Sequence, residues 1–288
     1  MAPNTFSLAT KVKLNSGHMM PQLQLGLYMM SGREVISAVP HALDLGYRGL
    51  DCAQMYRNER EAGRAVSSWL GSHPDSGTTR GDIFYTSKLA SNSESYDAVR
   101  KSIRESVKAV GGKGYIDLFL LHSPYGGPAA RRESWRAVED AISDGEVRSG
   151  GVSNFGVRHI EELMASNPRI PPAVNQIEVH PFNTQVAIRE ACARHGIVVE
   201  AYAPLARAMR MRHPAVVELS RKYRCTVAQL LVRWSLQHGL VPLPKSTKKA
   251  RMAENVDVNG FEISDEDMAA MDDLDEGLVT DWDPTDAP

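Results

Sequence analysis

"YDAVRKSIRESVKAVGGKGYIDLFLLH", residues 96–122, sets two patterns side by side. Its first sixteen residues alternate as an amphipathic helix does. Its last seven, "IDLFLLH" at 116–122, form a short, nearly apolar run of the kind expected for a strand buried on both faces. The same alternation continues in both directions. Further strands are predicted at 23–28, 47–52, 83–89, 147–153, 173–179, 197–203 and 240–246, which makes eight. Helical patterns lie between them. In "TVAQLLVRWSLQHG" (226–239), Val227, Leu230, Leu231 and Trp234 recur at the spacing of a helix face.

Eight strand–helix units in series predict an α/β fold, a (β/α)8 TIM barrel. The 288 residues suit one barrel of roughly 250. No linker rich in Pro, Gly or Ser divides residues 1–288, so a single domain is expected. "VKLNSGHMMP" reads as a small β-hairpin over about 11–21 with a Gly turn, and a C-terminal tail begins at about 275. The longest polar connection, 71–82, precedes the third strand and belongs on the end of the barrel away from the usual active-site face.

Composition narrows the partners. A hydrophobic fraction of 42% and a charged fraction of 24% are ordinary for a globular chain. The net charge of −2, with no basic stripe interleaved with aromatics, argues against nucleic acid. The three cysteines are odd in number and form no C-x-x-C pair, so neither a disulfide framework nor a zinc knuckle follows. No apolar run of about 20 residues is present, which argues against a membrane span. The N-terminus lacks the apolar stretch of a signal peptide. A cytoplasmic protein with reduced thiols is expected, monomeric or weakly dimeric, acting on a small molecule.

In a barrel of this kind chemistry sits at the C-terminal ends of the strands. The second strand ends in Asp51, with Tyr56 five residues on. The third ends near Lys88, the fourth in His122, the fifth in Ser153 and Asn154. The sixth carries Gln176 and Glu178, the seventh ends at Tyr202, the eighth at Lys245. A lone strand-end His is more often a structural hydrogen-bonder, and Asp51 with Lys88 could be a plain buried ion pair. A rim carrying polar groups from every strand after the first favours a site. Metal ligation fits worse, because the nine histidines never fall three to five apart. "GVSNFG" fails the G-x-S-x-G elbow at Phe155. A glycosidase pair of Asp51 and Glu178 leaves Lys88 without a role.

"PKSTKKARMAEN" (244–255) concentrates Lys245, Lys248, Lys249 and Arg251. Ser246 and Thr247 read as an N-cap for the helix "KKARMAENV". The positive end of a helix dipole prefers acidic residues there, so an external phosphate is expected to balance these cations.

Taken in order, "GYRGLDCAQMYRNEREAGRAV", "IDLFLLHSPYGG", "GGVSNFG", "PAVNQIEVHPF" and "PLPKSTKKARMAEN" resemble the signatures of the aldo-keto reductase family, from about Met20 to Pro284. The short form is similar to a microbial and fungal branch that includes diketogluconate and glycerol-type reductases. The resemblance implies NADPH-dependent reduction of a carbonyl by Asp51, Tyr56, Lys88 and His122. Tyr56 would donate the proton. The phenol's ordinary pKa is about 10, and a neighbouring ammonium at Lys88 would make it a stronger acid. Asp51 would hold Lys88, and His122 would orient the carbonyl.

The resemblance also implies that Ser153, Asn154 and Gln176 bind the nicotinamide carboxamide, with Tyr202 stacked on its ring. Leu205 would meet the pyrophosphate, and Lys245, Ser246 and Arg251 the 2′-phosphate, with Glu254 and Asn255 near the adenine. Tyr28, Met29, Met55, Ser123, Tyr125 and Trp282 would line the substrate pocket. Gln24, Ala203 and Ser123 depart from the family's usual Gly, Ser and Trp, and Tyr28 stands where many members have Trp. Ser123 implies a more open pocket wall. Two other functions fit the same residues: an NADPH-binding redox sensor with little turnover, and a pathway dehydrogenase running in the oxidative direction.

Overall fold

The computed structural model describes residues 6–111 and 114–288. The chain opens with an antiparallel hairpin, β1 (Lys11–Lys13) and β2 (Met19–Pro21), turned at Gly17 with φ of +85°. Glycine tolerates that left-handed backbone without steric cost. Eight parallel strands follow: β3 (Leu25–Gly26), β4 (Gly49–Asp51), β5 (Phe84–Leu89), β6 (Ile116–Leu121), β7 (Val147–Ser153), β8 (Val174–Glu178), β9 (Val198–Tyr202) and β10 (Val241–Pro242). They neighbour one another in chain order. The sheet closes on itself where Gln24 N–H donates to Pro242 O at 3.3 Å and Gly26 N–H to Pro244 O at 3.2 Å.

The strands flanking this seam are shorter than their apolar runs predict. Pro242 and Pro244 have no N–H, so the ladder here can only accept. The other six match their predicted spans to within two residues.

Helices cover the outside. Helix α1 (Gly32–Asp44) buries Val35, Ala38, Val39, Ala42 and Leu43, one continuous stripe, and begins with a Ser31–Glu34 capping box. It is followed by α2 (Glu59–Ser72), α3 (Tyr96–Val110), α4 (Gly127–Ser143), α5 (Val157–Ala165) and α6 (Val186–Arg194). Two helices, α7 (Pro214–Lys222) and α8 (Val227–Gln237), separate β9 from β10, and α9 (Lys249–Val256) and α10 (Asp265–Asp272) come after β10. The 226–239 pattern becomes α8, capped by Thr226 with Gln229. The 71–82 connection folds into two single 3-10 turns, Pro74–Ser76 and Arg80–Asp82, leading into β5. No described helix is long and apolar enough to cross a membrane.

Strand side chains alternate between faces, and the two faces build separate cores. Leu25, Leu50, Tyr85, Phe119, Val152, Ile177 and Ala201 pack outward beneath the helices. Phe84, Leu118, Leu120, Val174, Val241 and Leu243 pack inward with Leu14 and Met20 of the hairpin, which plugs the N-terminal end of the barrel. Asn15 and Ser16 fasten the plug, Nδ2 donating to Pro172 O at 2.9 Å and Oγ lying 2.8 Å from Ser149 Oγ. Above this apolar floor the inward positions turn polar: Gln24, Asp51, Thr86, Lys88, Gln176, Glu178 and Glu200 are all buried.

The barrel interior leaves no room beside β7. A Cβ on Gly151 would stand 2.7 Å from Val174 O and 2.6 Å from Leu120 Cδ2. Gly151→Ala is therefore expected to cost about 1–3 kcal/mol. The check is a lower urea midpoint with an unchanged slope.

Candidate active site

Asp51 is the last residue of β4, and Tyr56 follows on a 3-10 turn, Gln54–Tyr56. Two amides hold that turn over the barrel mouth. Asn58 Nδ2 donates to Leu27 O at 3.1 Å and Met30 O at 2.9 Å, tying the turn to the exit of β3. Gln54 Oε1 accepts from Ala90 N at 2.8 Å, tying it to the exit of β5. Arg57 adopts φ of +56° to lead the chain into α2.

Lys88 of β5 has no exposed surface. Its ammonium donates to Asp51 Oδ1 at 2.7 Å and Oδ2 at 2.9 Å, to Cys52 O at 2.9 Å and to the Tyr56 hydroxyl at 3.1 Å. The ammonium donates to the phenol oxygen, which leaves the phenol's own proton unclaimed by Lys88. The expectation of an acidified phenol is corrected here. Burial holds the Tyr56 phenol well above its ordinary range, and the Asp51 charge adds to the effect.

His122 directly follows β6. Its ring stands edge-on to Tyr56, with centroids 5.8 Å apart. Burial, with the Lys88 charge beside it, lowers its pKa to about 3, so the imidazole is neutral. A neutral ring has one N–H to give. Three aromatics surround the pair. Tyr28 lies 5.1 Å from the Tyr56 ring, Trp282 lies 6.2 Å from His122, and Tyr125 lies 5.8 Å from Trp282, centroid to centroid.

On the far rim the polar groups engage one another. Ser153 Oγ donates to Gln176 O at 2.8 Å, Asn154 Nδ2 to His122 O at 3.0 Å, and Tyr202 Oη to Asn154 Oδ1 at 2.9 Å. Gln176 Nε2 divides its two protons between Asp51 Oδ1 and Glu200 Oε2, both at 2.8 Å. Beyond β10, Lys245, Lys248, Lys249 and Arg251 are exposed, and none forms an ion pair among the described residues. The predicted cap is corrected. Lys248 is the N-cap of α9 and cannot accept, whereas Ser246 Oγ accepts from Lys248 N–H at 3.1 Å. The helix start is left with neither a capping side chain nor an acidic residue in its first turn.

A family model described as the aldo/keto reductase family matches residues 22–276. The chain belongs to the aldo/keto reductase family. An uncharacterized oxidoreductase of Schizosaccharomyces pombe is 45% identical, over 98% of this chain and 99% of its own length. A glyoxal reductase of Bacillus subtilis is 38% identical, over 93% and 94%. The crystal structure of a Bombyx mori aldo-keto reductase in complex with NADP superposes with a TM-score of 0.88 at 34% identity, covering 96% of each chain. The family membership makes this chain an oxidoreductase.

For this aldo/keto reductase the structure brings Asp51, Tyr56, Lys88 and His122 together, with Tyr28, Tyr125 and Trp282 at the mouth. Ser123 is buried beside them, and its carbonyl accepts from Asn92 Nδ2 at 2.8 Å. Met29 and Met55 are exposed. Met29 Sδ takes a 3.5 Å contact from Arg207, whereas no hydrogen bond or ring contact joins Met55 to the aromatic group. Leu205 is half-buried at the start of a 3-10 turn, Glu254 is half-buried and Asn255 buried on α9. The sequence reading missed Asn58, Gln54 and Glu200. A Glu at an inward position of the apolar run "IVVEAYA" was the one signal available for Glu200.

The tail places Trp282. Glu178, weighed above as a glycosidase carboxylate, instead accepts from Thr280 N–H at 3.1 Å, from Thr280 Oγ1 at 2.5 Å and lies 3.0 Å from His180 Nε2. Leu278 N–H donates to Phe182 O at 2.8 Å. Glu178→Gln weakens a charge-assisted clamp worth about 1.5–3 kcal/mol. Amide exchange at Leu278 and Thr280 is expected to quicken by about tenfold or more, measured by hydrogen exchange with mass spectrometry.

Proposed function

We propose that this aldo/keto reductase reduces an aldehyde or ketone to an alcohol with NADPH, Tyr56 giving the proton. The contact that carries the reading is Lys88 Nζ at 3.1 Å from the Tyr56 hydroxyl and 2.7 Å from Asp51. A relative named for glyoxal reduction and a solved relative holding NADP support it.

The residues present fit the cofactor. Four exposed cations that form no ion pair among the described residues, beside an uncapped helix start, suit the extra phosphate that distinguishes NADPH from NADH. Lys245, Ser246 and Arg251 would hold that phosphate, Leu205 the pyrophosphate, and Glu254 and Asn255 the adenine end. Ser153, Asn154 and Gln176 would meet the carboxamide, beneath Tyr202. When bound, NADPH supplies the hydride.

The chain's own groups manage the proton and the developing charge. Tyr56 is held protonated by burial, which is the state from which reduction starts. Its proton is directed to the carbonyl oxygen, where neutral His122 gives a second hydrogen bond. As the phenol loses that proton, the Lys88 ammonium stabilises the phenolate, and Asp51 holds Lys88 in place. Tyr28, Tyr125 and Trp282 give the substrate an apolar, aromatic surround.

Tyr56→Phe is expected to lower reduction of a simple aldehyde by about 10² to 10⁴-fold, while NADPH binding by fluorescence titration changes little. Retention of more than about a tenth of the rate would sink the acid assignment. Lys245→Ala and Arg251→Ala each remove a contact worth about 1.5–3 kcal/mol. The preference for NADPH over NADH should shrink about tenfold or more for each, and added salt should weaken NADPH more than NADH. Equal losses for the two cofactors would separate the cations from phosphate recognition.

A further inference from the structure

Glu200 lies in the middle of β9, one inward position below Tyr202, with no exposed surface. Its Oε1 accepts from Gln24 Nε2 at 2.9 Å and its Oε2 from Gln176 Nε2 at 2.8 Å. That same Gln176 nitrogen donates to Asp51 Oδ1. A continuous chain of hydrogen bonds therefore runs from Gln24 through Glu200, Gln176, Asp51 and Lys88 to the Tyr56 hydroxyl. The charges facing Glu200 are Asp51 from β4 and Lys88 from β5. The inward neighbours from β6 and β10, Leu118, Leu120, Val241 and Leu243, are apolar, and Gly151 faces in from β7. Tyr56, His122, Tyr202 and, from β8, Glu178 with its partner His180 are the titratable groups at the rim above.

Two features suit Glu200 to carrying a proton in one state and losing it in another. Gln24 Oε1 is buried and has no partner. An amide can donate its N–H to a carboxylate or, turned over, accept from a carboxylic acid. Gln24 can thus serve both states of Glu200. Burial also pushes the Glu200 carboxyl up to about 7, the Asp51 charge adding to it, while the Gln176 bond, the Lys88 charge and the Gln24 bond oppose it.

We propose that Glu200 is a positioning residue whose charge, passed along Gln176, Asp51 and Lys88, decides how readily Tyr56 releases its proton. The inference rests on Tyr56 as the proton donor. With Glu200 neutral, one carboxylate faces one ammonium, and Lys88 acts fully on the nascent phenolate. With Glu200 ionised, two carboxylates face that ammonium, and the phenolate is harder to form. Reduction is therefore faster on the acid side of the Glu200 titration and slows as pH rises through it.

The full chain tests this by two readouts. Infrared titration follows the protonated-carboxyl band, and single-turnover reduction of a simple aldehyde at saturating NADPH is timed over the same pH range. In the native chain the band should vanish as pH rises through neutrality, with the rate falling on the order of tenfold over the same interval. Glu200→Gln should lack both the band and the fall. Gln24→Met removes a bond available to either state, the charge-assisted one to the ionised form being the stronger, and should move both midpoints to higher pH. It also carries the test should Glu200→Gln not fold. A fall that persists unmoved in both variants overturns the proposal, as does a band that titrates while the rate stays level. Undiminished reduction by Tyr56→Phe would instead overturn the acid assignment on which the proposal rests.

Discussion

An ammonium enclosed in a barrel has to find an acceptor for each of its protons, because nothing else repays its lost hydration. Lys88 meets that demand with Asp51, Cys52 O and the Tyr56 hydroxyl. The requirement fixes much around it. Strand β4 must end with a carboxylate at the level of β5, which the pairing of Asp51 with Thr86 provides. The turn after β4 must bring a phenol back over the barrel, which Asn58 and Gln54 enforce. Losing Asp51 would leave the buried ammonium uncompensated, at a cost of about 3–5 kcal/mol. The contacts that hold Lys88 beside the Tyr56 hydroxyl are thus also contacts on which the fold depends.

The same demand spreads sideways. Asp51 carries more acceptor capacity than Lys88 uses, and Gln176 occupies it. The second proton of that amide then needs an acceptor, which Glu200 supplies, and Glu200 in turn takes Gln24. The polar layer rests on an apolar floor of strand residues and the hairpin plug. That floor closes the N-terminal end and leaves the strand C-termini as the way in. Electrostatics among these groups are stronger for being enclosed.

The mouth is assembled from segments distant in sequence. Asp281 of the tail accepts from Tyr28 Oη at 2.9 Å and pairs with Arg207 at 3.1 Å. This latch joins the exit of β3, the loop after β9 and the tail beside Trp282. The loop after β9 holds Ala203, Ala206, Arg207 and Ala208 at φ between +45° and +65°. Such backbone costs a residue with a Cβ roughly 1–2 kcal/mol, so surrounding contacts hold this loop in shape. Ala203, one of the positions departing from the family pattern, is among those left-handed residues. Trp282 packs against His122 at the mouth, close to where the small Ser123 implied an open wall.

The sequence alone determined what depends on local periodicity: eight apolar runs between amphipathic helices, and with them the barrel and the end where chemistry belongs. It also marked Asp51, Tyr56, Lys88 and His122, because each ionisable group sits at or just past the end of an apolar run. Unpaired lysines at a helix start were visible for the same reason, although the cap residue itself was not. Tertiary structure decided what depends on closure. Gln24 and Glu200 are 176 residues apart and meet only because β3 returns to β10. Glu178, a rim carboxylate by its position, is occupied by a tail more than a hundred residues away. The protonation of Tyr56 and His122 is likewise a property of enclosure, since burial is the largest cause of each shift and the neighbouring charge adds to it. Periodicity is a property of the chain, whereas dielectric surroundings and partners across the barrel exist only once the sheet has closed.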